Sequence, residues 1–198
     1  MRASPLVTLF RLLVAAGGLL PALWLALAWQ RGALGIVPSE AALHFAGTTG
    51  LLLLLATLML GPAFRLTRWP GFMVVRRQLG LWAWAWLLGH ALIWLGLEQG
   101  WAWGWAWEEV RGLPYLTAGA AALLLLLPLA LTSPGAVKRR MNRRAWQWLH
   151  RLIYPAAALG LLHAWMQTRA DYREIALYTT LFGLLLAFRL GSALIDRR

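Results

Sequence analysis

The chain has 198 residues, of which 61% are hydrophobic and only 13% are charged, and its mean hydropathy is +0.61. Too few polar residues remain to coat a water-soluble surface, so the composition excludes an ordinary soluble domain and predicts an integral membrane protein. The net charge of +12 does not indicate a nucleic-acid partner, because the basic residues lie in short stretches between apolar runs. The chain contains no cysteine, so any metal would need histidine ligands.

Six apolar segments are long enough to cross a bilayer as helices, which requires about 20 residues each. The sequence therefore predicts an all-α bundle of six transmembrane helices in a single domain, residues 1–198. The predicted spans are residues 6–29, 43–64, 79–97, 115–132, 146–167 and 175–194. Arg2 and Arg11 resemble the basic start of a signal peptide, but no clear cleavage site follows, so we expect the first span to be an uncleaved anchor.

Tryptophans alternate with other residues between the third and fourth predicted spans. They are Trp101, Trp103, Trp105 and Trp107. Alternation is typical of a β-strand, but tryptophan also prefers the membrane–water interface, and Glu108 and Glu109 follow directly. We therefore expect an interfacial loop or short helix in this stretch.

Basic residues are distributed unequally between the two ends of the predicted spans. If the N-terminus is cytoplasmic, 15 of the 19 basic residues lie on the inner side and six of the seven acidic residues on the outer side. This asymmetry agrees with the positive-inside rule. The sequence therefore predicts that both termini are cytoplasmic.

Every histidine of the chain lies inside or at the mouth of a predicted span. There are four, His44, His90, His150 and His163. His90 follows Arg77 by 13 residues and His163 follows Arg151 by 12, so at about 1.5 Å per residue both lie about 18–20 Å above the inner boundary. Two neutral imidazoles at one depth on neighbouring helices can be the axial ligands of a six-coordinate heme. The sequence therefore predicts His90 and His163 as heme ligands.

Several phrases of the sequence resemble one family of membrane proteins. They are residues 44–47 (HFAG), 76–82 (RRQLGLW), 114–117 (PYLT) and 146–150 (WQWLH). Together with His90 and His163, they resemble the MsrQ family of heme-binding membrane subunits, within the ferric-reductase-like transmembrane superfamily. The resemblance covers nearly the whole chain. It implies six helices, b-type heme, an FMN and a location in the bacterial inner membrane.

The resemblance also implies a role as the electron-transfer subunit of an oxidoreductase system rather than as its catalytic subunit. The acceptor would be a periplasmic, molybdopterin-containing methionine-sulfoxide reductase of the MsrP type. The sequence has no glycine-rich nucleotide loop and ends four residues after Leu194, so we expect the donor to be membrane quinol or a separate cytosolic flavin reductase. Two alternatives remain: a stand-alone reductase of ferric iron or oxygen, and a non-redox transporter or proton channel that uses histidines as a relay.

One position departs from the superfamily pattern. Oxidases of the superfamily carry two histidines 14 residues apart on the third helix, whereas the residue 14 before His90 is Arg76. One heme is therefore expected, and a second stays open. His150 and His44 are candidate contacts for a second heme, a flavin or a quinone, or structural residues held by hydrogen bonds. Arg76 and Arg77 are mainly topology signals and also candidate contacts for a heme propionate or a flavin phosphate.

Overall fold

The structure, a computed structural model, describes residues 4–195, apart from the side chain of Ala193. The described residues form helices joined by short loops and include no β-strand, which confirms the all-α prediction for this part of the chain. The helices are α1 Pro5–Gln30, α2 Pro38–Thr67, α3 Gly71–Ile93, α4 Trp103–Gly112, α5 Pro114–Leu131, α6 Gly135–Arg140, α7 Arg143–Leu149, α8 Ile153–Gln167 and α9 Arg173–Ile195. Arg2, Arg197 and Arg198, which contribute to the predicted charge asymmetry, lie outside the described residues.

Among the described residues, five helical segments are long and apolar enough to cross a membrane. They are Pro5–Gln30, Pro38–Thr67, Gly71–Glu98, Pro114–Leu131 and Arg173–Ser192. The second and third begin earlier than predicted, at Pro38 and Gly71, and a π-helical turn, Trp94–Glu98, extends α3. The chain is therefore a multi-pass membrane protein.

The predicted fifth span, residues 146–167, is divided in the structure. A 3₁₀ turn, His150–Leu152, separates α7 from α8. Pro155 explains the break, because proline has no N–H to donate to the carbonyl one turn earlier, at Arg151. The 15 residues of α8 cover about 22 Å, less than the roughly 30 Å hydrocarbon core of a bilayer.

The segment between α3 and α5 contains a short helix, α4, and no strand. Its four tryptophans are all more than half exposed. The side-chain amide of Gln99 donates a hydrogen bond to Glu109, at 2.8 Å, and ties the start of the segment to α4. The alternating tryptophans therefore do not form the two faces of a strand, and their exposure is the one that side chains at a membrane interface would need.

Two closely packed helix pairs, α2 with α3 and α5 with α8, form the centre of the bundle. Their shared core is apolar and consists of Leu54, Leu58, Ala83, Leu126, Leu129, Ile153, Ala156 and Ala157. Helix α1 packs on α3, and α9 packs on α2 and α8. Glycine permits the close approach of α2 to α3, since a β-carbon on Gly50 would lie 2.7 Å from the Leu87 side chain.

Charged residues separate along the bundle axis into two ends. We call one the acidic end, which holds the six described acidic residues, Glu40, Glu98, Glu108, Glu109, Asp171 and Glu174, together with only four basic ones, Arg31, Arg111, Arg169 and Arg173. The other is the basic end, which holds Arg11, Arg65, Arg68, Arg76, Arg77, Lys138, Arg139, Arg140, Arg143, Arg144, Arg151 and Arg189.

Candidate functional site

A cavity of about 390 Å³ lies within the bundle and is lined by residues of α2, α3, α5, α8 and α9. We call it the histidine cavity, because His90 and His163 line it. Most of its wall is apolar and includes Leu51, Leu54, Leu87, Leu123, Leu126 and Ala156. Cofactor sites have volumes of about 300–1,000 Å³ and combine apolar walls with a few convergent polar groups. The cavity has this character.

His90 on α3 and His163 on α8 face each other in the histidine cavity. Their ring centres are 6.0 Å apart, and the ring planes form an angle of 79°. Imidazoles on opposite sides of one metal ion have ring centres about 6 Å apart, because each metal–nitrogen bond is about 2 Å long and each ring centre lies about 1 Å beyond its nitrogen. The observed separation therefore fits two axial ligands of one metal.

The tautomer of both rings is fixed by the backbone. His90 Nδ1 lies 2.9 Å from the carbonyl oxygen of Leu43, and His163 Nδ1 lies 2.8 Å from the carbonyl oxygen of Tyr115. A carbonyl oxygen only accepts hydrogen bonds, so Nδ1 carries the proton in each ring and Nε2 keeps its lone pair. Metal-binding histidines use this arrangement, in which one nitrogen donates to a carbonyl and the other binds the metal.

A glycine supports each of the two rings. Gly47 lies one turn after Leu43, and a β-carbon on it would be 2.8 Å from Nδ1 of His90. Gly119 lies one turn after Tyr115, and a β-carbon on it would be 2.9 Å from Nδ1 of His163. Each histidine thus has the same local setting on a neighbouring helix, a carbonyl followed four residues later by a glycine. The sequence analysis did not identify either glycine. The signal available in the sequence was a glycine four residues after Leu43 and another four residues after Tyr115.

His44 lies at the mouth of the histidine cavity, at the acidic end. Its side chain is 65% exposed, and its Nε2 lies 3.7 Å from a carboxylate oxygen of Glu40, one turn earlier in α2. The structure therefore places His44 at the rim of the cavity rather than beside the facing pair.

His150 lies near the basic end, outside the histidine cavity. Its ring stacks on Trp146 at a centroid distance of 3.8 Å, and its Nδ1 lies 3.0 Å from the carbonyl oxygen of Trp146. Its Nε2 is buried and has no hydrogen-bond partner among the described residues. Because a buried polar atom without a partner costs free energy, this nitrogen fits an additional bound group.

Arg76 and Arg77 point to different parts of the molecule. Arg76 is partly buried and interacts electrostatically with His150, Tyr154 and Arg189. Arg189 also lies over the ring of Tyr154, with its guanidinium carbon 5.0 Å from the ring centre. Arg77 is exposed and lines a separate groove against α1. The structure does not bring the two arginines together on one anion, and neither lines the histidine cavity.

Comparison with known proteins adds the family. Residues 46–161 match the family described as "Ferric reductase like transmembrane component". A Rhodospirillum rubrum protein named "Protein-methionine-sulfoxide reductase heme-binding subunit MsrQ" is 42% identical, over 95% of this chain and 90% of the relative. A Ralstonia nicotianae protein of the same name is 38% identical, over 78% of this chain and 72% of the relative. The chain therefore belongs to the MsrQ family of ferric-reductase-like transmembrane proteins.

Proposed function

We propose that the chain is the heme-binding, electron-transfer subunit of a methionine-sulfoxide reductase system, and that His90 and His163 hold one b-type heme. The observation that carries this proposal is the facing pair of imidazoles, each with its Nδ1 bonded to a carbonyl oxygen. The names of the two relatives support the choice of heme and of the reductase system.

The site favours a heme over a bare metal ion. The described residues contain no cluster of three or more histidine, aspartate or glutamate side chains that could hold an ion. Two histidines leave most of the coordination positions of a metal unfilled, and a porphyrin would fill the others. The apolar wall of the histidine cavity suits the apolar face of such a ring.

The proposed membrane arrangement has six crossings, with both termini in the cytoplasm of a bacterium and the chain in its inner membrane. Five crossings are the long apolar helices. The sixth consists of α7, the 3₁₀ turn and α8 together, whose 25 residues (143–167) cover up to about 37 Å. The separation of acidic and basic ends supports the orientation, because positive charge favours the cytoplasmic side.

The position of the cavity supports electron transfer toward the periplasm. Its lining reaches His44, Asp171 and Glu174 at the acidic end, which is periplasmic in the proposed orientation. When bound, the heme supplies a one-electron redox couple. His90 and His163 would hold it, the carbonyl oxygens of Leu43 and Tyr115 orient the two imidazoles, and the apolar side chains of the cavity would keep water from it. The proposed acceptor is a periplasmic molybdopterin reductase of the MsrP type.

The basic end is the proposed entry side for electrons, from membrane quinol or a cytosolic flavin reductase. His150 and Arg76 are candidate contacts there for a second heme, a quinone or the FMN that the family resemblance implies. The unpartnered Nε2 of His150 supports a ligand at this place without identifying it. His44, exposed at the opposite end, lacks this support.

A reconstitution experiment tests the function. Proteoliposomes containing the purified chain and reduced quinol are mixed with a purified MsrP-type reductase and a methionine-sulfoxide substrate. We expect sulfoxide reduction that requires both proteins and falls at least tenfold with the His90→Ala variant. Steady reduction of ferric iron or oxygen without the partner would instead indicate the stand-alone reductase, and a purified chain without a Soret band would indicate a non-redox protein.

A further inference from the structure

A second cavity, of about 660 Å³, lies between α1 and α3 and contains none of the four histidines. We call it the α1–α3 groove. Its lining residues are Thr8, Arg11, Leu12 and Ala15 from α1, and Val74, Arg77, Gln78 and Leu81 from α3. Both sets have the spacing i, i+3, i+4 and i+7, which places their members on one face of a helix. Each helix therefore gives the groove one arginine, one further polar residue and two apolar residues.

Specific contacts between α1 and α3 hold the shape of the groove. The side-chain amide of Gln78 donates a hydrogen bond to the carbonyl oxygen of Arg11, at 3.0 Å. Further along α1, the indole N–H of Trp86 donates to the carbonyl oxygen of Gly18, also at 3.0 Å. Toward the basic end, the ring of Phe10 packs on Trp69 with centroids 5.0 Å apart. These contacts hold α1 at a defined distance from α3 on either side of the groove.

Positive charge converges at this groove. The Nη1 atom of Arg77 lies 3.7 Å from the position that a β-carbon on Gly135 would take, and Nη1 of Arg139 lies 3.4 Å from the same position. Both guanidinium groups therefore lie against one point of α6, and Arg11 is the second arginine, with Arg77, in the lining of the groove. All three side chains are exposed, so solvent screens part of their mutual repulsion, and an anion bound between them would remove more of it.

The described part of the chain supplies no anion for these arginines. All of its acidic side chains lie at the acidic end, at the far side of the bundle. At that end, Glu40 lies next to His44 and Glu108 forms an ion pair with Arg111. An anion that pairs with Arg11, Arg77 and Arg139 would therefore come from outside the described residues.

We propose that the α1–α3 groove binds an anionic phospholipid. The phosphate lies among Arg11, Arg77 and Arg139, and one acyl chain follows the apolar face formed by Leu12, Ala15, Val74 and Leu81. A lipid fits better than a free phosphate because an apolar channel adjoins the charged cluster. Basic pockets between transmembrane helices on the cytoplasmic side recognise anionic head groups in this way. The assignment does not depend on heme binding and uses the proposed orientation only to place the lipid in the inner leaflet.

Native mass spectrometry of the purified protein tests this site. The probes are phosphatidylglycerol and phosphatidylcholine with identical acyl chains, added to the delipidated, heme-containing protein. We expect the wild type to retain phosphatidylglycerol at least tenfold better than phosphatidylcholine. Arg77→Gln and Arg11→Gln should each weaken phosphatidylglycerol binding about fivefold, as the loss of one arginine near an anionic head group predicts.

Arg143→Gln is the matched control, because Arg143 is an exposed arginine of the basic end that does not line the groove. It should leave binding unchanged, and Arg77→Lys should restore most of what Arg77→Gln loses. Equal retention of the two lipids, or an equal loss with Arg143→Gln, would overturn the proposal. Displacement of the lipid by inorganic phosphate or FMN would assign the arginines to a free phosphate group instead. Soret absorbance of each sample separates loss of lipid from loss of heme.

Discussion

Gly119 packs so closely against His163 that a β-carbon on it would lie 2.9 Å from the ring nitrogen Nδ1, which bonds to the carbonyl oxygen of Tyr115. The backbone of α5 therefore sets both the position and the tautomer of this imidazole. The α2 backbone does the same for His90 through Gly47 and the Leu43 carbonyl. The two rings are oriented before any ligand binds, which is the condition for precise metal coordination.

Substitution of either supporting glycine should weaken heme binding. Gly119→Ala forces the His163 ring away from the added methyl group and stretches its bond to the Tyr115 carbonyl. Changes to the hydrogen-bond partners of metal ligands typically cost about 10–100-fold in metal affinity. We expect heme affinity to fall by about tenfold and the low-spin ferric signals in electron paramagnetic resonance to shift.

Gly183→Ala is the control for this experiment, since a β-carbon on Gly183 of α9 would meet nothing within 4 Å. Its heme affinity and resonance spectrum should match those of the wild type. Unchanged affinity and spectrum in Gly119→Ala would show that the glycine does not position the ligand.

Replacement of His44 by alanine should leave the heme content unchanged. The side chain is 65% exposed and lies one turn from Glu40, so its loss removes only a rim contact of the histidine cavity. Exposed ion pairs of this kind contribute about 0–1 kcal/mol to stability. The measurement is heme per chain in the purified variant, and loss of heme would make His44 a ligand or a determinant of the pocket.

Gly18→Ala should destabilise the contact of α1 with α3, whereas Gly17→Ala should not. A β-carbon on Gly18 would overlap the Trp82 ring, but one on Gly17 would meet nothing within 4 Å. Overpacking of a close contact costs about 1–3 kcal/mol. Thermal unfolding in one detergent, followed by circular dichroism, should show a lower midpoint for Gly18→Ala only, and equal midpoints would contradict the observed packing.

Heme removal should lower the thermal stability of the wild type. A ligand that binds only the folded state stabilises it by about 2.7 kcal/mol when its concentration is 100 times its dissociation constant. Protein made under heme limitation should therefore unfold at a lower temperature than the heme-containing form. The His90→Ala variant should show no such difference between heme-limited and heme-replete preparations.

The sequence was sufficient to identify the class of protein and the depth of the two facing histidines. The length of the apolar segments predicts membrane helices directly. The constant rise per residue of a helix places His90 and His163 at the same depth in the membrane. The structure places the two ring centres 6.0 Å apart with nearly perpendicular planes, and the assignment of both histidines as heme ligands stays a prediction.

Other features depend on helix rotation and on local breaks, which hydrophobic length does not encode. Arg76 and Arg77 lie at almost the same depth in the membrane, but their side chains leave the helix about 100° apart. Depth alone therefore does not show that they reach different parts of the molecule. Residues 146–167 were also predicted as one continuous helix, whereas a 3₁₀ turn at His150–Leu152 interrupts it just before Pro155. The supporting carbonyls of Leu43 and Tyr115 likewise required the packing of helix pairs to be known.

A pyridine hemochrome assay on the purified wild type and on the His90→Ala, His150→Ala and His163→Ala variants tests the central claim most directly. We predict one b-type heme per chain in the wild type and in His150→Ala, and none in the other two variants. Two hemes per chain, one of them lost in His150→Ala, would contradict the single-heme site. Full heme content in His90→Ala or His163→Ala would contradict the assignment of the facing pair as its ligands.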